Sequence, residues 1–113
     1  MTKIYHNPRC QKSRQALSIL EEKKEEFEII EYLKTPPSQE ELKGLIQMLG
    51  ITAEDLLRKG EKIFKEEFKG KALSEDEWIE AMVNNPKLIE RPIVIKGDKA
   101  VIGRPPEKVI EIL

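Results

Sequence analysis

The sequence predicts an α/β domain built on a mixed four-stranded sheet, and three observations carry that prediction. Two short β-like runs, Thr2-Lys3-Ile4-Tyr5 and Phe27-Glu28-Ile29-Ile30-Glu31-Tyr32, flank an amphipathic segment, the pattern of a parallel βαβ unit. Two more, Pro92-Ile93-Val94-Ile95 and Ala100-Val101-Ile102, are joined by Lys96-Gly97-Asp98-Lys99 as a hairpin. Between the two pairs lies a long stretch of helix-prone residues, about 38–85, that reads as an insertion.

The first strand stops at His6-Asn7-Pro8, because proline cannot donate to a β-ladder and turns the residue before it away from helix. From Gln11 to Lys24, Ala16, Leu17, Ile19 and Leu20 cluster on one face at helical spacing while Arg14, Gln15, Ser18, Glu21 and Glu22 make the other polar. After the second strand, Leu33-Lys34-Thr35-Pro36-Pro37 is a turn. Ser38 with Glu41, and Ser74 with Glu77, then form capping boxes that start two further helices, with Gly50 closing the first of them. Residues between them continue helix-prone, so the middle of the chain is expected to be helical throughout. A last helix is expected over Pro106 to Leu113. A parallel pair beside an antiparallel hairpin gives a sheet of thioredoxin type.

At 113 residues and 39% hydrophobic content the chain has the size of one domain, 1–113, with a single core. Lys and Arg number 20 against 21 Asp and Glu, a net charge of −1, which excludes the broad basic field of a nucleic-acid binder. No apolar run approaches the roughly 20 residues of a bilayer span, and the first residues lack the pattern of a secretory signal. A cytoplasmic protein with no membrane partner is the expectation. One cysteine allows no internal disulfide, and no Cys and His cluster has the spacing of a zinc site.

That cysteine, Cys10, sits where a strand hands over to a helix, in His6-Asn7-Pro8-Arg9-Cys10-Gln11-Lys12-Ser13-Arg14. Unpaired N–H groups at a helix start favour negative charge, and cations nearby can bring a thiol from about 8.5 down to roughly 3.5–7.5. Five of its eight neighbours, His6, Arg9, Lys12, Ser13 and Arg14, are His, Arg, Lys or Ser, a poor composition for a core segment. A thiolate nucleophile is the reading. Successive N–H groups here also form an anion cradle, to which Ser13 can add a hydroxyl donor, with Gln11 and Lys12 beside it. His6 titrates near neutrality and can tune the loop's charge. Arg58, Arg91 and Arg104 lie at chain breaks, and their forked donors suit a tetrahedral oxyanion if folding brings them to Cys10.

Ile4-Tyr5-His6-Asn7-Pro8-Arg9-Cys10 with Ser13-Arg14 resembles the active-site opening of glutaredoxin-dependent arsenate reductases. Tyr32-Leu33, Pro36-Pro37-Ser38, Leu56-Leu57-Arg58-Lys59, Asn85-Pro86, Arg91-Pro92-Ile93-Val94 and Gly103-Arg104-Pro105 extend the likeness over essentially the whole chain. The resemblance implies that Cys10 attacks arsenate, that Arg58, Arg91 and Arg104 bind the oxyanion, that His6 assists the thiolate, and that Pro92 is cis. It also implies no bound cofactor, glutathione as co-substrate and glutaredoxin as partner. Cysteine arithmetic agrees: reduction of arsenate by thiols takes two sulfurs, and this chain owns one.

Two other functions share the fold class. The chain is also similar to Spx-type regulators that bind RNA polymerase, although such regulators commonly carry a cysteine pair and Ser13 stands in the second place here. A general monothiol oxidoreductase would need only Cys10-Gln11-Lys12-Ser13 and leaves the three arginines without a task.

Overall fold

The computed structural model describes residues 2–113. Its contacts divide into two compact units: one contains the chain up to Thr35 together with Arg91–Leu113, the other Pro36–Glu90. The second interrupts the first in sequence.

The first unit holds the sheet. Strands β1 (Thr2–Tyr5), β2 (Phe27–Ile30), β3 (Ile93–Lys96) and β4 (Lys99–Ile102) lie in the order β2-β1-β3-β4. β1 pairs with β2 in parallel, Ile4 opposite Ile29, and with β3 antiparallel, Ile4 opposite Val94. Val94 in turn faces Val101 across the hairpin, whose turn opens on Gly97 at φ 63°. Glycine bears that left-handed conformation without a Cβ clash. Helix α1 (Gln11–Glu22) makes the parallel crossover, and the mixed sheet of thioredoxin type is as expected. Ile4 and Val94 from the sheet, Ala16 and Leu20 from α1, and Val109 from the chain end form one buried cluster. Period two on the strands and 3.6 on the helix put these five side chains together.

Some elements differ from the sequence expectation in extent or in winding. α1 ends at Glu22, because Lys24 enters the left-handed region at φ 55° and the Glu25 N–H donates back to Leu20 at 3.1 Å. β2 stops at Ile30, where Glu31 accepts from the Lys34 N–H at 2.9 Å in a turn that leaves Tyr32 fully buried. The closing segment Pro106–Ile112 is a 3₁₀ helix. Its tighter winding stacks residues three apart, and Pro106 and Val109 are both buried.

Gly103 follows β4, and its N–H donates to the Pro92 carbonyl at 2.9 Å. A Cβ there would lie 2.9 Å from Pro92 Cγ and 3.3 Å from Val109 Cγ2. Neither neighbour is the free end of a flexible chain. Gly103→Ala is expected to destabilise the fold by about 1–3 kcal/mol, read as a lower urea midpoint; an unchanged midpoint would show that the proline ring yields freely.

In the second unit, helix α2 (Gln39–Leu49) and helix α3 (Glu75–Asn84) pack together. Both capping boxes form, Ser38 with Glu41 and Ser74 with Glu77, and Gly50 ends α2 at φ 69°. Leu42, Leu45, Ile46, Trp78, Ile79 and Met82 are buried. The segment is not helical throughout. Between the helices the chain makes a 3₁₀ turn, Glu54–Leu56, and a π-helical turn, Phe64–Phe68, whose two rings lie 6.1 and 6.0 Å from Trp78. Leu57 and Ile89 form an isolated antiparallel bridge, with Arg58 N–H donating to Leu88 at 2.8 Å and Glu90 N–H to Leu56 at 2.9 Å. Extended pairing of residues so distant in sequence leaves no local trace. Among the described residues no helix is long and apolar enough to cross a membrane.

Candidate active site

Cys10 is the N-cap of α1, with extended backbone at φ −93° and ψ 122°. Its N–H donates to the Asn7 carbonyl at 3.0 Å, and its own carbonyl accepts from the Arg14 N–H at 3.0 Å, closing the first helical turn. Asn7 organises the approach: its Oδ1 accepts from the Arg9 N–H at 3.0 Å while its own N–H donates to Ser13 Oγ at 3.1 Å. The turn it makes is the means by which Asn7 holds the loop.

The sulfur is partly exposed and lies among donors. Burial pushes the thiol pKa up, but the Ser13 N–H, the Arg91 guanidinium by hydrogen bond and by charge, and the Lys12 N–H together bring it below the ordinary value. Arg104 Nη2 approaches Sγ at 3.7 Å. The Arg104 Nε donates to the Arg91 carbonyl at 2.8 Å, so the two arginines are held relative to each other. α1 has no acidic residue in its first turn, whereas α2 and α3 have Glu and Asp there. Nothing in that turn opposes the negative charge on sulfur. Because the folded thiol is the stronger acid, its contribution to stability is present above the unfolded pKa and fades as pH falls through the folded one.

Both arginines stand at X-Pro bonds that are cis, Arg91-Pro92 and Arg104-Pro105. The first was expected from the family resemblance and the second was not. Arg58 lies in the other unit, where its Nε is 3.4 Å from Glu61 and its Nη1 3.3 Å from Glu90. Its charge is engaged by two carboxylates.

His6 and Ser13 are buried. Ser13 Oγ lies 2.6 Å from His6 Nδ1, so the side chain that the sequence offered as an anion donor is turned inward to His6. What Ser13 offers the sulfur is its backbone N–H. Gln11 and Lys12 are exposed beside Cys10, and Lys12 adds its N–H as well. A thiolate with two guanidinium groups and two N–H donors can attack an electrophilic centre whose oxygens those donors hold.

The model of the ArsC family matches residues 5–112, nearly the whole described chain and the entire loop just traced. The chain belongs to the ArsC family. A relative named uncharacterised protein YfgD, from Escherichia coli K12, is 50% identical, covering 98% of this chain and 95% of its own. A Neisseria meningitidis serogroup A protein named arsenate reductase is 42% identical, over 98% of this chain and 97% of its own. Among solved structures, the arsenate reductase from Vibrio cholerae superposes with a TM-score of 0.95 at 48% identity, covering 99% of this chain and 97% of that one.

Proposed function

We infer that this ArsC-family chain reduces arsenate to arsenite through a Cys10 thiolate, with glutathione as the second thiol and glutaredoxin restoring the enzyme. The single observation that carries this is the placement of Arg91 and Arg104 against the one cysteine, supported by full-length relatives named arsenate reductase. Arsenate enters as an oxyanion. The forked guanidinium groups of Arg91 and Arg104 hold its oxygens, and the Cys10 sulfur attacks arsenic, forming an S–As(V) bond as one oxygen leaves as water. A glutathione thiol then attacks the Cys10 sulfur. The S–As electron pair passes to arsenic, which departs as As(III) arsenite, and Cys10 is left in a mixed disulfide with glutathione. Two thiols have given one electron each. Glutaredoxin takes the glutathionyl group by thiol–disulfide exchange and returns Cys10 to its thiol form. The cycle belongs in a compartment that keeps thiols reduced, the cytosol.

A coupled assay tests it. Arsenate-dependent oxidation of NADPH through glutathione, glutaredoxin and glutathione reductase is expected with the wild-type chain. Turnover of a small glutathione mixed disulfide without turnover of arsenate would instead identify a general monothiol oxidoreductase.

A further inference from the structure

The first 20 residues contain Lys3, Arg9, Lys12 and Arg14 and not one Asp or Glu, in a chain whose net charge is −1. Three of those four cations lie in the Cys10 loop and the first turn of α1, and they do not share one task with the more distant arginines. Arg91 and Arg104 are half-buried and reach the sulfur, and Arg104 also holds the Arg91 carbonyl. Arg14 Nη1 donates to the Pro8 carbonyl at 3.1 Å. Arg9, the residue before the nucleophile, and Lys12, two after it, are exposed, and no ion pair or hydrogen bond engages either side chain among the described residues. Glu31, the carboxylate that acts on the loop at His6, lies 3.6 Å from Lys34. Two uncommitted cations therefore flank the thiol in sequence, outside the pair of arginines that meets the sulfur.

Arsenate is provided for by that inner pair. The second reactant is not. Glutathione is a tripeptide with its thiol in the middle and a carboxylate at each end, and near neutrality it is an anion. We propose that Arg9 and Lys12 form the docking site for this incoming thiol, each taking one carboxylate of glutathione while the central sulfur lines up on Cys10. Exposed ion pairs of this kind are weak singly. Two of them, placed either side of the nucleophile, steer an anionic thiol to it and fix which way round it arrives. The proposal deepens the function inferred above and rests on Cys10 being the sulfur that glutathione meets.

Exchange with oxidised glutathione tests it without arsenate. The Cys10 thiolate attacks one sulfur of that disulfide, the S–S bond breaks as the bond from Cys10 to glutathione forms, and one reduced glutathione leaves as its thiolate. The rate constant is divided by that for hydroxyethyl disulfide, which is neutral, so a change in the thiolate population of a variant cancels. This ratio is expected to fall about threefold in Arg9→Gln and in Lys12→Gln and about tenfold in the double variant, the scale of one and two exposed ion pairs. Lys23→Gln removes the same charge roughly 20 Å away along α1, beyond a Debye length of about 8 Å, and its ratio is expected at the wild-type value. A double-variant ratio equal to wild type overturns the proposal. So does an equal loss in Lys23→Gln, which would reveal an unlocalised field. The expected ratios, found together with no arsenate turnover by wild type, would support this site and overturn the arsenate reading alone.

Discussion

Cys10→Ser is expected to abolish arsenate turnover, a loss of roughly a thousandfold or more in kcat, while the fold stays intact. A serine hydroxyl at this position meets the same donors as the sulfur, the Ser13 and Lys12 N–H groups and Arg91. Those donors can lower a thiol's pKa into the working range because it starts near about 8.5, and they cannot bring a hydroxyl there. Oxygen also cannot take part in the disulfide that carries away the reducing equivalents. The coupled assay reads the loss, with a urea melt of the variant as the control for folding. Residual turnover within tenfold of wild type would remove Cys10 from the mechanism and with it the proposed function.

The second large effect is expected at Arg91. Arg91→Lys keeps the positive charge and discards the planar fork that can bond sulfur and an oxyanion oxygen together. A fall of about a hundredfold in kcat/KM for arsenate is expected, the usual consequence of losing one oriented donor from an anion site. The thiol should respond too. Arg91 lowers the Cys10 pKa both by hydrogen bond and by charge, and a lysine keeps the charge without the guanidinium's oriented bond, so the pH midpoint of alkylation by iodoacetamide should rise toward that of an ordinary thiol. If arsenate kinetics stay unchanged while the midpoint rises, Arg91 tunes the nucleophile without holding the substrate, and the oxyanion contact passes to Arg104.

These two residues also mark how far sequence reasoning reaches. Cys10 was legible as a candidate nucleophile from its neighbours alone, since the strand-to-helix handover and the polar loop are local facts. The capping boxes at Ser38 and Ser74 formed as read, because a box is a contact between residues three apart. The strands and hairpin were legible for the same reason, with boundaries that moved where a turn competed for the last residues. Arg91 and Arg104 were recognisable as candidates by residue type and by family likeness, but their approach to the sulfur spans most of the chain: Arg104 is 94 positions from Cys10.

The amino-acid order by itself determined the βαβ unit, the hairpin, the helix starts and a thiol at a helix N-terminus, all of which depend on periodicity or on neighbours within a few residues. Tertiary structure alone decided which arginines meet that thiol, that Arg58 is engaged by Glu61 and Glu90, that Leu57 pairs with Ile89, and that the Ser13 hydroxyl turns inward to His6. The physical reason is that burial and long-range pairing settle where a polar group finds its partner. A hydroxyl near an anion site has several possible partners in an open chain, and only packing decides among them.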